Sequence, residues 1–110
     1  MDSDTAPEDR SPRDEMGLVA RIIAGDSGLF HELVRRYERS AYLIAFSMLL
    51  HSAKAEEVVQ EAFISAYRGL ENFHGDVRFG NWLFRLIVDR AKSRKQLEKT
   101  TCALNDRQGL

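Results

Sequence analysis

The chain has 110 residues, 44% of them hydrophobic and 30% charged, and a net charge of −1. This is room for one small domain with a modest core and not for two. The longest apolar run, Ala41 to Leu50, is broken by Ser47 and falls well short of a membrane span, so membrane insertion is not expected.

The near-neutral total conceals two opposed ends. Residues 1–15 carry six acids (Asp2, Asp4, Glu8, Asp9, Asp14, Glu15) against Arg10 and Arg13, whereas residues 78–99 carry seven bases against Asp89 and Glu98. A basic block at one end of a neutral domain reads either as a nucleic-acid footprint or as a solvated helix end. The acidic N-terminus lacks the apolar stretch of a secretory signal. The single cysteine, Cys102, cannot form an internal disulfide, and a reducing cytoplasm is the expected compartment.

Residues 1–14 are polar, acidic and hold both prolines, Pro7 and Pro12. They read as a disordered tail. A first short helix is expected from Asp14 to Ala24, with Leu18, Val19, Ile22 and Ile23 inward and Gly25 placed to end it. Asp26 or Ser27 then caps a second helix running to about Leu50. Its buried side is marked by Phe30, Leu33, Val34, Tyr37, Ala41, Ile44, Ala45 and Met48.

After the tight link His51-Ser52, the stretch SAKAEEVVQEAFISAYRGL predicts a third helix with Ser52 as its N-cap. Val59, Ala62, Phe63, Ala66, Tyr67 and Leu70 recur at helical spacing and form its apolar stripe. The opposite side presents Glu56, Glu57, Gln60 and Glu61, with no base among them. Such a face is either solvated surface or a docking surface for a basic partner.

A loop follows from Glu71 to Arg78, with an exposed-looking Phe73. A fourth helix is expected from Phe79 to the mid-nineties, with Phe79, Trp82, Leu83, Leu86 and Ile87 inward. Arg78, Asn81, Arg85, Asp89 and Lys92 fall on another stripe, where Asp89 is spaced to pair with Arg85 and Lys92. Beyond about Lys95 periodicity fades into a linker. No stretch alternates like a strand. The expectation is an all-α compact bundle of four helices with short connections, residues 15–96 forming the domain and 97–110 the linker.

Catalysis finds little support. His31, His51 and His74 stand alone on different elements, and there is no Gly-rich phosphate loop, nucleophile elbow or paired-ligand spacing. The glutamates of the third helix face away from its apolar stripe, unlike those of a bundle carboxylate site. No enzyme activity, metal or cofactor is expected.

The order Gln60-Glu61-Ala62-Phe63, then a loop, then Phe79-Gly80-Asn81-Trp82-Leu83-Phe84-Arg85 resembles conserved region 2 of bacterial sigma factors, and most nearly the extracytoplasmic-function group. Gly25-Asp26 ahead of Phe30, Leu33 and Tyr37 is similar too, so the resemblance spans about residues 16–96. It implies a domain that binds core RNA polymerase and recognises and melts the minus-ten promoter element. Glu56, Glu57, Gln60 and Glu61 would meet the basic clamp-helix coiled coil of the largest polymerase subunit. The loop, with Asn72, Phe73 and Asp76, would hold a flipped-out base. Arg78, Asn81, Trp82, Arg85, Arg90 and Lys92 would meet the melted strand.

The same residues admit plainer roles. Trp82 and Phe73 are either base-stacking platforms or core residues, and Arg85 either meets phosphate or pairs with Asp89. Glu57 stands where the family usually has Asp, and Asp89 where it commonly has Asn. The resemblance further implies an anti-sigma partner and a second helical domain, toward which the linker 97–110 would lead. An alternative within the same fold is a sigma-factor mimic that sequesters an anti-sigma factor without touching DNA.

Overall fold

A computed structural model of the chain describes residues 12–108, with side chains placed for 15–100. Its elements are α1 (Pro12–Ile23), α2 (Leu29–Arg35), α3 (Glu38–Leu49), α4 (Ser52–Arg68), a 3-10 turn (Leu70–Asn72) and α5 (Phe79–Gln108). Among the described residues there is no strand, and no helix is long and apolar enough to cross a membrane. The expected tail lies outside the described residues up to 11, but Pro12 to Asp14 already belong to α1. Proline is well suited to a first helical turn, where its missing N–H has no partner to lose.

α1 ends as its sequence suggests. The Asp26 N–H reaches back to the Arg21 carbonyl (3.0 Å) and the Gly25 N–H to that of Ile22 (3.1 Å), with Gly25 at φ 129. This crossed pair of bonds satisfies carbonyls the helix leaves open, and it needs a residue free of a Cβ penalty at the turn. Asp26 does not cap the next helix. Its carboxylate lies 3.4 Å from Arg21, and α2 begins at Leu29 without a side-chain cap.

The single helix expected from Asp26 to Leu50 is two, so among the described residues there are five α-helices and not four. The break falls at Arg36 and Tyr37, where the Tyr37 N–H bonds the Val34 carbonyl at 2.8 Å in one tight turn. Neither residue is a helix breaker. The turn is fixed by what Tyr37 reaches: its ring packs on Phe79 (5.9 Å between centroids) and Phe84 (5.6 Å), and its hydroxyl donates to Glu15 of α1.

α3 stops at Leu50, a non-glycine residue in the left-handed region (φ 54, ψ 36). The cap of α4 is then His51, whose Nδ1 accepts from the Lys54 N–H at 3.3 Å, while Ser52 is the first helical residue. His51 is extended (φ −150, ψ 117), as an N-cap requires.

α3, α4 and α5 pack on one another, and α1 packs across α2. The seam between them is rich in alanine: Ala41, Ala45, Ala55, Ala62, Ala66 and Ala91 are wholly buried. Val58, Val59, Leu70, Leu83 and Ile87 fill the remaining space. Of the stripe expected on α4, Phe63 is half-buried and Tyr67 is 45% exposed, its ring set edge-on to Phe30 at 5.1 Å. The buried line instead begins a turn earlier, at Ala55 and Val58.

α5 does not end in the mid-nineties but continues to Gln108, about 45 Å at the α-helical rise. Segment 97–108 is therefore helical, and Cys102 lies within it, although its side chain is outside the described residues.

Candidate functional site

Two surfaces gather the polar residues singled out by the sequence. On α4, Glu56, Glu57, Gln60 and Glu61 are all exposed, as expected from their position opposite the alanine seam. The face is not free of bases, however. Arg94 of α5 donates from Nη2 to Glu57 Oε1 at 2.7 Å, and its Nε lies 3.3 Å from Glu98, which in turn pairs with Lys54 of α4 at 2.9 Å. The Glu57 carboxylate raises the Arg94 guanidinium above its ordinary value, and the Lys54 ammonium holds the Glu98 carboxyl below its own.

Arg90 bonds Ser65 of α4 at 2.7 Å. The cross-links Ser65–Arg90, Glu57–Arg94 and Lys54–Glu98 step in opposite directions along the two helices, so α4 and α5 run antiparallel. Arg90 thus faces α4 and is separated from the stripe of Arg85 and Lys92, with which the sequence grouped it.

The second surface is the loop before α5 and the outer row of that helix. Asn72, Asp76, Arg78, Asn81, Arg85 and Lys92 are all exposed. On a helix, 78, 81, 85 and 92 share one face. Asp89 shares that side, but it forms no ion pair with Arg85 or Lys92 among the described residues.

Phe73 departs from the sequence reading: it is 5% exposed, with its ring 5.1 Å from Trp82 and 5.7 Å from Phe79. It is a core residue that pins the loop, because a buried aromatic is worth more against two other rings than exposed in a turn. Trp82 is half-buried beside it, so its packing role is secured and only part of the indole meets solvent.

Residues the sequence did not single out hold the loop from the other side. Glu15, noted there only as one of the six acids of residues 1–15, is 6% exposed. Its carboxylate accepts from the Tyr37 hydroxyl and from Arg36 Nη1 at 3.2 Å. Burial, and then the Glu15 carboxylate, push the Tyr37 phenol far above its ordinary value. Gly75 (φ 81) lies under Met16, and a recess of about 180 Å³ between α1 and the loop is lined by Glu15, Met16, Gly75, Asp76, Val77, Arg78 and Phe79. The one signal for Glu15 was its helical spacing to Val19 and Ile22. For Arg94 and Glu98 it was their place on the line of Ile87 and Ala91. Among the described residues no three His, Cys, Asp or Glu side chains gather as a metal site.

Residues 33–99, which include both surfaces, match the family model for sigma-70 region 2. The chain belongs to the sigma-70 family. Within it, the region 2 domain is of the extracytoplasmic-function type. It is 43% identical over 76 residues to the ECF RNA polymerase sigma-E factor of Escherichia coli K12, covering 69% of this chain and 39% of the relative. It is 40% identical over 76 residues to the RNA polymerase sigma-H factor of Pseudomonas aeruginosa, with the same coverage. The region 2 chain thus spans about two fifths of the length of these curated relatives. Its fold is also similar to the NMR structure of an engineered region 2 of sigmaE in complex with GTAAAA, with a TM-score of 0.72 and 33% identity over 86% of this chain and 95% of the other.

Proposed function

We propose that this region 2 domain docks on core RNA polymerase through the outer face of α4 and holds the melted minus-ten strand of a promoter along the loop and α5, in transcription initiation. The observation that carries the reading is the exposed row of Arg78, Asn81, Arg85 and Lys92, which rises from a loop whose aromatic anchor is buried. A rigid loop with exposed polar tips, Asn72 and Asp76, suits an unstacked base, since it need not be ordered on binding. The three cations of the row suit a single-stranded backbone, and the open part of Trp82 offers a π-face to a base. The similar structure that carries GTAAAA supports the same choice of ligand.

On α4, Glu56, Gln60 and Glu61 offer charge and amide groups to a basic coiled coil, the chemistry expected of the clamp helices of the largest polymerase subunit. The compartment is then the one that holds polymerase and promoter, the cytoplasm. An anti-sigma factor that covers either surface would silence the domain.

Fluorescence anisotropy with a labelled minus-ten oligonucleotide tests the DNA half. Binding to the single strand should exceed binding to the duplex, and affinity should fall with salt at a log–log slope near −2, about 0.7 for each of three phosphates neutralised. No binding at low salt would favour the mimic that only sequesters an anti-sigma factor.

A further inference from the structure

We propose, resting on the reading of α4 as the polymerase-docking face, that Arg94 sets how much of that face's charge reaches the partner. Glu57, Glu56 and Glu61 look equivalent in sequence, but their surroundings differ. Glu57 is engaged by Arg94 at 2.7 Å, whereas Glu56 and Glu61 form no ion pair among the described residues.

Arg94 is itself held in place. Its side chain is 25% exposed, its Nε faces Glu98, and Glu98 is secured by Lys54. The four groups alternate in sign along a line that crosses from α4 to α5 and back. A guanidinium so restrained loses little further freedom in keeping its bond to Glu57.

The consequence follows from Coulomb's law. A basic partner that approaches Glu57 meets a neutral pair and must either displace Arg94 or accept its repulsion. The same partner over Glu56 and Gln60 meets charge that Arg94 does not pair, and Glu61 feels Arg94 only through space, without an ion pair. Arg94 is thus a specificity-determining residue. It moves the centre of the acidic face toward Glu56 and Gln60, on the solvent side of α4, and it weakens the attraction for any partner whose bases lie over Glu57. Side-chain length matters here, because glutamate places its carboxylate one methylene further from α4, toward α5, than aspartate would.

The test measures binding of the full chain to the purified clamp-helix coiled coil at two salt concentrations, with thermal melts to confirm folding. Arg94→Met keeps an apolar stem of similar length on α5 and removes the charge. It should tighten binding about three- to tenfold at low salt, the gain shrinking as salt rises. Glu57→Gln should weaken binding in the wild-type background, since it leaves the Arg94 charge unbalanced, and bring the Arg94→Met background back to about the wild-type level. Glu61→Gln should weaken binding in both backgrounds. Unchanged or weaker binding by Arg94→Met overturns the inference while leaving docking intact, as does a gain over wild type that survives when Arg94→Met is combined with Glu57→Gln. Wild-type chain that does not bind the coiled coil overturns the docking reading, and this inference with it.

Discussion

The Tyr37 hydroxyl donates to the Glu15 carboxylate, and this one bond ties α1 to the point where the chain turns between α2 and α3. Arg36 reaches the same carboxylate at 3.2 Å, with both ionic side chains only 8% exposed. Removing the phenol leaves a nearly buried acid with one donor fewer. Tyr37→Phe should lower unfolding free energy by about 1–3 kcal/mol. Glu15→Leu should cost more than Glu15→Gln, since only the amide can still accept the phenol. Urea denaturation of the three variants measures both outcomes.

Phe73 takes the core role of the two that its sequence left open. As a buried ring between Phe79 and Trp82, it should cost about 3–5 kcal/mol when cut to alanine. Phe73→Leu should cost much less and retain binding to single-stranded minus-ten DNA. A base-stacking residue would behave in the opposite way, losing DNA affinity in both variants at unchanged stability. Thermal melts paired with anisotropy separate the two.

Arg85 and Arg90 should part company in salt titrations. Arg85 stands on the exposed row, whereas Arg90 is spent on Ser65. Arg85→Ala should make the log–log salt slope for single-stranded DNA shallower by about 0.7. Arg90→Ala should leave the slope unchanged and only loosen α4 against α5.

Leu50 holds an unfavourable backbone for a leucine and is 74% exposed. Its side chain contributes little burial, and its left-handed conformation costs an L-residue about 1–2 kcal/mol. Leu50→Gly should therefore stabilise the domain by about 1 kcal/mol, after the extra freedom that glycine gives the unfolded chain. Differential scanning calorimetry measures the change.

The pairing of Glu98 with Lys54 and Arg94 predicts a response to acid. The Glu98 carboxyl is held below its usual value, first by its bond to Lys54. A depressed carboxylate contributes stability above its unfolded pKa of 4.5, and that contribution fades as pH falls through the lower folded value. Amide protection factors in residues 93–100 should fall over that acidic range in the wild type. In Glu98→Gln they should already be low at neutral pH and change less.

The legible parts of this structure are those in which one helix faces a core. α4 and the first half of α5 announce themselves by apolar spacing, and Gly25 by its place after α1. The break at Tyr37 has no such local mark, because what bends the chain is a carboxylate 22 residues away. The cap of α4 was misassigned for a related reason: serine is the commoner acceptor, but the extended residue at that point is His51. Residues 94–98 of α5 look irregular in sequence because Arg94 and Glu98 hold them to α4 in place of an apolar stripe. The Arg94–Glu57 contact, 37 residues apart, has no pattern in one dimension.

The alanines along the seam constrain how such a domain can change. Ala41, Ala45, Ala55, Ala62, Ala66 and Ala91 are fully enclosed, and a larger side chain at any of them must push two helices apart at a cost of about 1–3 kcal/mol. The outer rows of α4 and α5 carry no such penalty. Sequence drift is therefore channelled outward: the frame resists innovation, while the exposed residues of α4 and α5 remain free to be rewritten on it.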